Sequence, residues 1–210
     1  MIARRVRGAA WMMGVAAGLA MLLASGQSQA QVNVGIDGGM VARTSTPGLK
    51  PGLAWGLHAG VKPISVLMIS GYYLGYSMGM DGLPATAHNV SFDSFGGNLR
   101  FTLPLPESNF RPYAYAGLGY VRTSYPVETV VLNYAATSGV PFGLQPREGH
   151  FLELPVGLGL GYKAAKIVLL SLDLALRPSF GFEGDAYKGA SPVDETKLGF
   201  TGLLGASFDL

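Results

Sequence analysis

Glu153, Asp173 and Arg177 are the residues of this chain whose types and spacing most directly suggest chemistry. Two carboxylates and a guanidinium lie on segments 151–163 and 167–177, which only Ala164–Lys166 separates. If that link turns about Ala165, facing positions sum to 330, which sets Glu153 against Arg177 and Gly157 against Asp173. Charges gathered away from water must be paired to be tolerated. The cluster therefore suits a salt-bridge plug or, more sharply, a gate or a ligand contact. His58, His88 and His150 are scattered and make no metal-ligand spacing. No phosphate loop, paired-carboxylate cleft or nucleophile elbow is present, so no cofactor and no metal are expected.

The elements carrying these residues have a period of two. In "FLELPVGLGLGYK" (151–163) every second residue is apolar: Leu152, Leu154, Val156, Leu158, Leu160, Tyr162. Such alternation is a β-strand with one apolar and one polar face. The same pattern recurs over 31–43, 52–62, 64–77, 94–103, 112–122, 167–177 and 198–210, although 64–77 has no clean polar face. In the first run Asn33, Asp37 and Arg43 oppose Val32, Val34, Ile36 and Met40. In 112–122 the residues leave open whether Tyr113 and Tyr115 or Ala114, Ala116 and Leu118 form the apolar face. Eight strands of about 10–12 residues have the length a tilted strand needs to cross a bilayer, whereas soluble strands more often run about 5–6.

The rest of the sequence bears on which face is wet. Arg4, Arg5 and Arg7 precede the apolar stretch 9–24, and Ser28 and Ala30 stand three and one positions before an expected cut. Residues 1–30 read as a cleaved secretory signal peptide, leaving 31–210 as one domain. Without the signal's three arginines, 12 basic residues remain of the 15, against 13 acidic ones, a net charge of −1. A nucleic-acid partner loses its basic stripe. Cysteine is absent, so no disulfide framework holds an exported fold. Charged residues make up 13% of the chain and glycines number 31, about half and double the ordinary shares. A lipid-facing surface removes the difficulty of covering such a chain with polar groups.

Long and short links between the strands roughly alternate, the asymmetry of transmembrane barrels, with short periplasmic turns and long outer loops. Lipid offers no partner to an open sheet edge, so the sheet must close. Eight strands enclose an interior that side chains just fill. Asp37, His58, Lys62, Arg100, Glu153, Asp173 and Arg177 are then expected in the lumen. The expected fold class is an all-β, closed, antiparallel up-and-down transmembrane barrel. The long link after the fifth strand could add two further strands or extend the barrel upward through 128–134.

"RPYAYAGLGYV" resembles the Pro-Tyr and Gly-x-Gly-Tyr strand of small OmpA/OmpX-like outer-membrane barrels, and "LELPVGLGLGYK" resembles their glycine-alternating strand. "GASFDL" (205–210) resembles the C-terminal signal read by the barrel-assembly machinery, through Gly205, Phe208 and Leu210; the final residue is Leu where Phe is more usual. The resemblance implies export and insertion into a Gram-negative outer membrane, with lipid and the assembly machinery as partners. Some such barrels modify lipids, and deacylase barrels carry a His-x-Ser element where this chain has His150 and then Leu152. An enzyme is therefore not expected. The leading expectation is a structural or surface-interacting barrel, meeting an extracellular ligand or host surface through loops 78–90, 123–149 and 181–197. A narrow porin-like channel is the alternative, a lipid-modifying enzyme the third reading, and a soluble periplasmic β-protein the fourth.

Overall fold

The computed structural model describes residues 31–43, 50–79, 90–125, 147–184 and 197–210. The alternating runs form strands β1 (Gln31–Arg43), β2 (Gly52–Ile64), β3 (Leu67–Met78), β4 (Val90–Thr102), β5 (Phe110–Tyr125), β6 (Arg147–Glu153), β7 (Val156–Lys163), β8 (Val168–Gly184) and β9 (Lys197–Asp209). β6 and β7 are two halves of one strand, because both pair with β5 in a single continuous register and both pair with β8. Pro155 makes the break, since it has no N–H to donate to the ladder. The join still holds: Gly117 N–H donates to the Pro155 carbonyl and Leu154 N–H to the Pro178 carbonyl, both at 2.9 Å.

Each strand pairs antiparallel with the next, and β9 returns to β1, so the sheet is a ring of eight strands. At the seam Val32 and Leu210 exchange both backbone hydrogen bonds, at 3.1 and 2.7 Å. β5 pairs directly with β6, which leaves no place in the ring for two more strands; segment 128–134 itself lies outside the described residues. Short turns join β2 to β3, β4 to β5 and β7 to β8 at one rim, which also holds Gln31 and Leu210. The long connections leave from the opposite rim.

Side-chain facing follows the sequence period. Val34, Ile36, Leu53, Trp55, Leu99, Leu158, Leu172, Leu174 and Leu204 are exposed on the outer wall. Asn33, Arg43, Ser94, Glu153, Asp173 and Arg177 are buried inside the ring. The apolar face is therefore the lipid face, as in membrane barrels. On β5, Tyr113 and Tyr115 turn inward and Ala114, Ala116 and Leu118 outward. β3 lacks a clean polar face because its inward residues include Met68, Leu74, Tyr76 and Met78. With Val41, Val90, Phe92, Val121, Phe151 and Phe182 most of them form an apolar cluster inside the barrel, toward the long-connection rim.

Two local features set the register of β8. The β7–β8 hairpin turns about Lys166 rather than Ala165: Lys163 faces Leu169 and Ala164 N–H donates to the Val168 carbonyl at 3.0 Å. Asp173 consequently stands opposite Gly159, and Gly157 opposite Ala175. The shift is two residues, so the faces are preserved and only the pairing changes. Further along β8, Gly181 adopts φ 66° and the register against β6 slips by one residue. This bulge brings Phe182 inward, and the left-handed backbone there favours glycine.

Candidate functional site

The lumen is the candidate site, and it has three stations. Nearest the long connections lies a buried network centred on Glu153, which is 0% exposed. Its Oε1 accepts from Arg177 Nη2, from Ser94 Oγ at 2.6 Å and, at greater length, from the Tyr72 hydroxyl at 3.4 Å. Arg177 Nη2 also donates to the Tyr72 hydroxyl at 3.2 Å. Arg43 approaches from β1, with Nη2 3.8 Å from Glu153 Oε2 and 3.1 Å from Ser179 Oγ. The Arg43 guanidinium sits over the Phe151 ring at 4.5 Å and the Phe92 ring at 5.4 Å. These rings belong to the apolar cluster, so the ionic network and the cluster share a wall.

The middle station holds Asp173, Arg100, Tyr113, Asp37 and His58. The Arg100 guanidinium lies 4.2 Å over the Tyr113 ring. Asp173 is buried beside Tyr113 and Ser171, and its Oδ1 makes no hydrogen bond. His58 Nδ1 meets Asp37 Oδ2 at 2.8 Å. At the short-turn rim Lys62 Nζ donates to Asp209 Oδ1 at 2.6 Å, and Asn33 Nδ2 donates to the same oxygen at 2.7 Å. Arg43, Lys62, Arg100 and Arg177 balance Asp37, Glu153, Asp173 and Asp209 over the lumen as a whole but not station by station: the Glu153 network holds two arginines to one carboxylate.

Glycines make room for these large side chains. The Tyr113 ring lies across Gly159 and the Tyr115 ring across Gly157, where a Cβ would overlap either ring. The Tyr72 hydroxyl and Glu153 occupy the space over Gly119 in the same way. A side chain lying flat over a glycine on the next strand fills the bore that an alanine would obstruct.

The residues marked in the sequence are thus distributed rather than gathered. Glu153 and Arg177 meet, and so do Asp37 and His58. Asp173 does not join Arg177, because both lie on β8 and four residues of strand, about 13 Å, separate them. The register sets Asp173 opposite Gly159, beside Tyr113, with the charge of Arg100 nearby. Arg43 was visible as a polar-face residue, but its place beside Glu153 depends on the β8–β9–β1 pairings. Tyr72 and Ser94 carried no charge signal; Ser94 shares the polar parity of Asn98 and Arg100 on β4, whereas the facing of Tyr72 could not be read because β3 has no clean polar face. Gly205 faces inward against Asp37 and Ser171, while Phe208 and Leu210 are exposed outward at the seam.

Outside the barrel, aromatic side chains cluster: Trp55 with Tyr73 and Tyr73 with Phe95, each pair at 5.0 Å. The Tyr73 hydroxyl donates to Asp93 at 2.6 Å. His150 lies on this outer wall, 3.2 Å from Glu183 and stacked on Tyr120 at 5.5 Å. His88 lies outside the described residues. Among the described residues no group of three or more His, Cys, Asp or Glu side chains is placed to hold a metal ion.

No family model and no curated protein matches this sequence. Solved structures do match. Neisserial surface protein A is 18% identical with a TM-score of 0.62, over 85% of this chain and 97% of that one. A major outer membrane protein from Thermus thermophilus is 14% identical with a TM-score of 0.53, over 87% and 100%. The N-terminal β-barrel domain of Pseudomonas aeruginosa OprF is 14% identical with a TM-score of 0.51, also over 87% and 100%. Ring closure, an apolar outer wall, a charged lumen and these likenesses agree: the chain has the fold of the small OmpA/OmpX-like outer-membrane β-barrels.

Proposed function

We propose that this protein is an integral outer-membrane barrel with a structural or surface-interacting role, and that its lumen is a plug rather than a pore. The observation that carries the reading is the stacking of two barriers in one half of the bore. The Arg43–Glu153–Arg177 network spans the interior, and the cluster of Met78, Val90, Phe92, Val121, Phe151 and Phe182 lies against it. An apolar layer excludes water, and an ion or solute crossing it loses its hydration without replacement. On this reading residues 1–30 direct export and are removed, Gly205, Phe208 and Leu210 serve the assembly machinery, and ligand or host contacts belong to the long loops 78–90, 123–149 and 181–197. Structural likeness below 20% identity supports the fold and the membrane setting; the surface role rests on the sealed lumen, which leaves the loops as the place for binding chemistry.

A second reading, a narrow channel for small solutes, is favoured by the charged residues of the other half of the bore, where Asp37, His58, Arg100 and Lys62 are only partly buried. Planar-bilayer recording of the refolded protein separates the two. The plug reading expects a silent membrane, and steady nanosiemens-scale steps would overturn it.

A further inference from the structure

The Glu153 network contains one more cation than anion. The side chains of Arg43, Glu153 and Arg177 are 3%, 0% and 5% exposed. Arg177 takes the short contact to Glu153 Oε1, and Arg43 stands 3.8 Å from Oε2, too far for a hydrogen bond. Among the described residues no second carboxylate pairs with either arginine. The Nε–H groups of Arg43 and Arg177 are both buried with no acceptor, and so is Glu153 Oε2 without a donor. Arginine keeps its proton at any ordinary pH, so the excess charge cannot be lost by titration of the guanidinium. The Phe92 and Phe151 rings beneath Arg43 offset part of it, but a ring face stabilises a cation far less than its burial costs.

We propose that a small monovalent anion of halide size binds against Arg43, accepts its Nε–H, and neutralises the network. A single excess charge calls for a monovalent anion. Val41, Phe92 and Phe151 wall the space beside Arg43, and the hydroxyls of Tyr76 and Ser179 are the polar groups that meet its guanidinium, too few donors for the several oxygens of a phosphate or sulfate. The anion is a structural ion of the barrel, bound between the ionic and apolar layers, and it is distinct from any solute that would pass through the bore.

The test uses the full mature protein folded in zwitterionic phosphocholine vesicles. It is unfolded in urea, which adds no ions, while sodium bromide replaces sodium gluconate at fixed ionic strength. The wild-type midpoint is expected to climb in proportion to the logarithm of bromide concentration above the dissociation constant. Arg43→Gln removes the excess charge and should lose this dependence, while Arg43→Lys should retain it in weaker form. Should Arg43→Gln fail to fold, wild-type crystals grown in bromide should show an anomalous peak beside the Arg43 guanidinium. Equal midpoints in bromide and gluconate overturn the proposal. So does a dependence that Arg43→Gln leaves unchanged, or a crystal with no peak at Arg43.

Discussion

Glu153 stands opposite Ser179 on the neighbouring strand, yet its ion pair is with Arg177, two residues nearer the β7–β8 turn. The pair is therefore diagonal. A long guanidinium covers that offset, and Pro155 lies across the ladder from Arg177 without an N–H or a polar side chain to compete for it. Both partners are buried, so neither can exchange its partner for water. Glu153→Gln should cost about 3–5 kcal/mol, because it leaves the buried Arg43 and Arg177 guanidiniums without a carboxylate. Arg177→Met breaks the short contact but leaves Arg43 3.8 Å from Glu153, and should cost less. The double substitution should cost less than the sum of the two. A double-mutant cycle on vesicle-folded protein measures the coupling, and additive losses would show that water already screens the pair.

Gly159 and Gly38 make a second contrast. A Cβ at Gly159 meets the Tyr113 ring, whereas a Cβ at Gly38 on the lipid face meets nothing within 4 Å. Gly159→Ala should therefore destabilise by about 1–3 kcal/mol through overpacking. Gly38→Ala should be neutral or slightly stabilising, since strand glycines carry an entropic cost of about 0.5–1 kcal/mol. Urea midpoints of the two variants check this, and equal midpoints would mean that Tyr113 has room to move aside.

Most of this architecture was legible because it rests on a period of two. Leu152 through Tyr162 gave the lipid face, and the ring's closure followed from lipid offering no partner to an open edge. The register was harder. Turning the β7–β8 hairpin about Ala165 or Lys166 gives the same faces but different neighbours, and this one choice moved Asp173 from opposite Gly157 to opposite Gly159 and Glu153 from opposite Arg177 to opposite Ser179. β3 was ambiguous for a physical reason: part of the lumen is apolar, so Leu74, Tyr76 and Met78 face inward and the strand shows no polar face by which to orient it. Arg43 could not be placed because it reaches Glu153 across the bore through three strand pairings that no local pattern encodes. Residues 151–163 read as one alternating strand, and the pairing with β5 keeps them so in register; Pro155 interrupts only the hydrogen-bond ladder.

The lipid face supplies a third prediction. Leu158 is 68% and Leu172 45% exposed on the outer wall, within the apolar band where Leu158 and Leu160 of β7 pair with Leu174 and Leu172 of β8. Leu158→Arg and Leu172→Arg should each cost about 2–4 kcal/mol near the bilayer midplane. Gly159→Arg, one residue from Leu158 but facing the lumen, should fail by colliding with Tyr113 and should not depend on bilayer thickness. Refolding yields in vesicles of short and long acyl chains distinguish the two failures. If both leucine variants refold like the wild type, the outer wall does not face lipid.

The seam makes the last prediction. β1 and β9 are hydrogen-bonded from Asn33–Asp209 to Arg43–Gly199, and Val32 and Leu210 finish the closure at the rim. With no free edge, detergent has no strand to peel away singly, so the ring must open cooperatively. The folded protein should therefore stay compact in SDS at room temperature and shift its migration only after boiling. Removing Asp209 and Leu210 deletes the last backbone bonds of the seam and the Asp209 carboxylate that holds Lys62 and Asn33. The shortened chain should lose its compact band at a lower temperature than the full one. Identical migration before and after boiling, for protein recovered from outer membranes, would count against a closed ring, and an unchanged transition in the shortened chain would place the strength of the seam higher up the β1–β9 ladder.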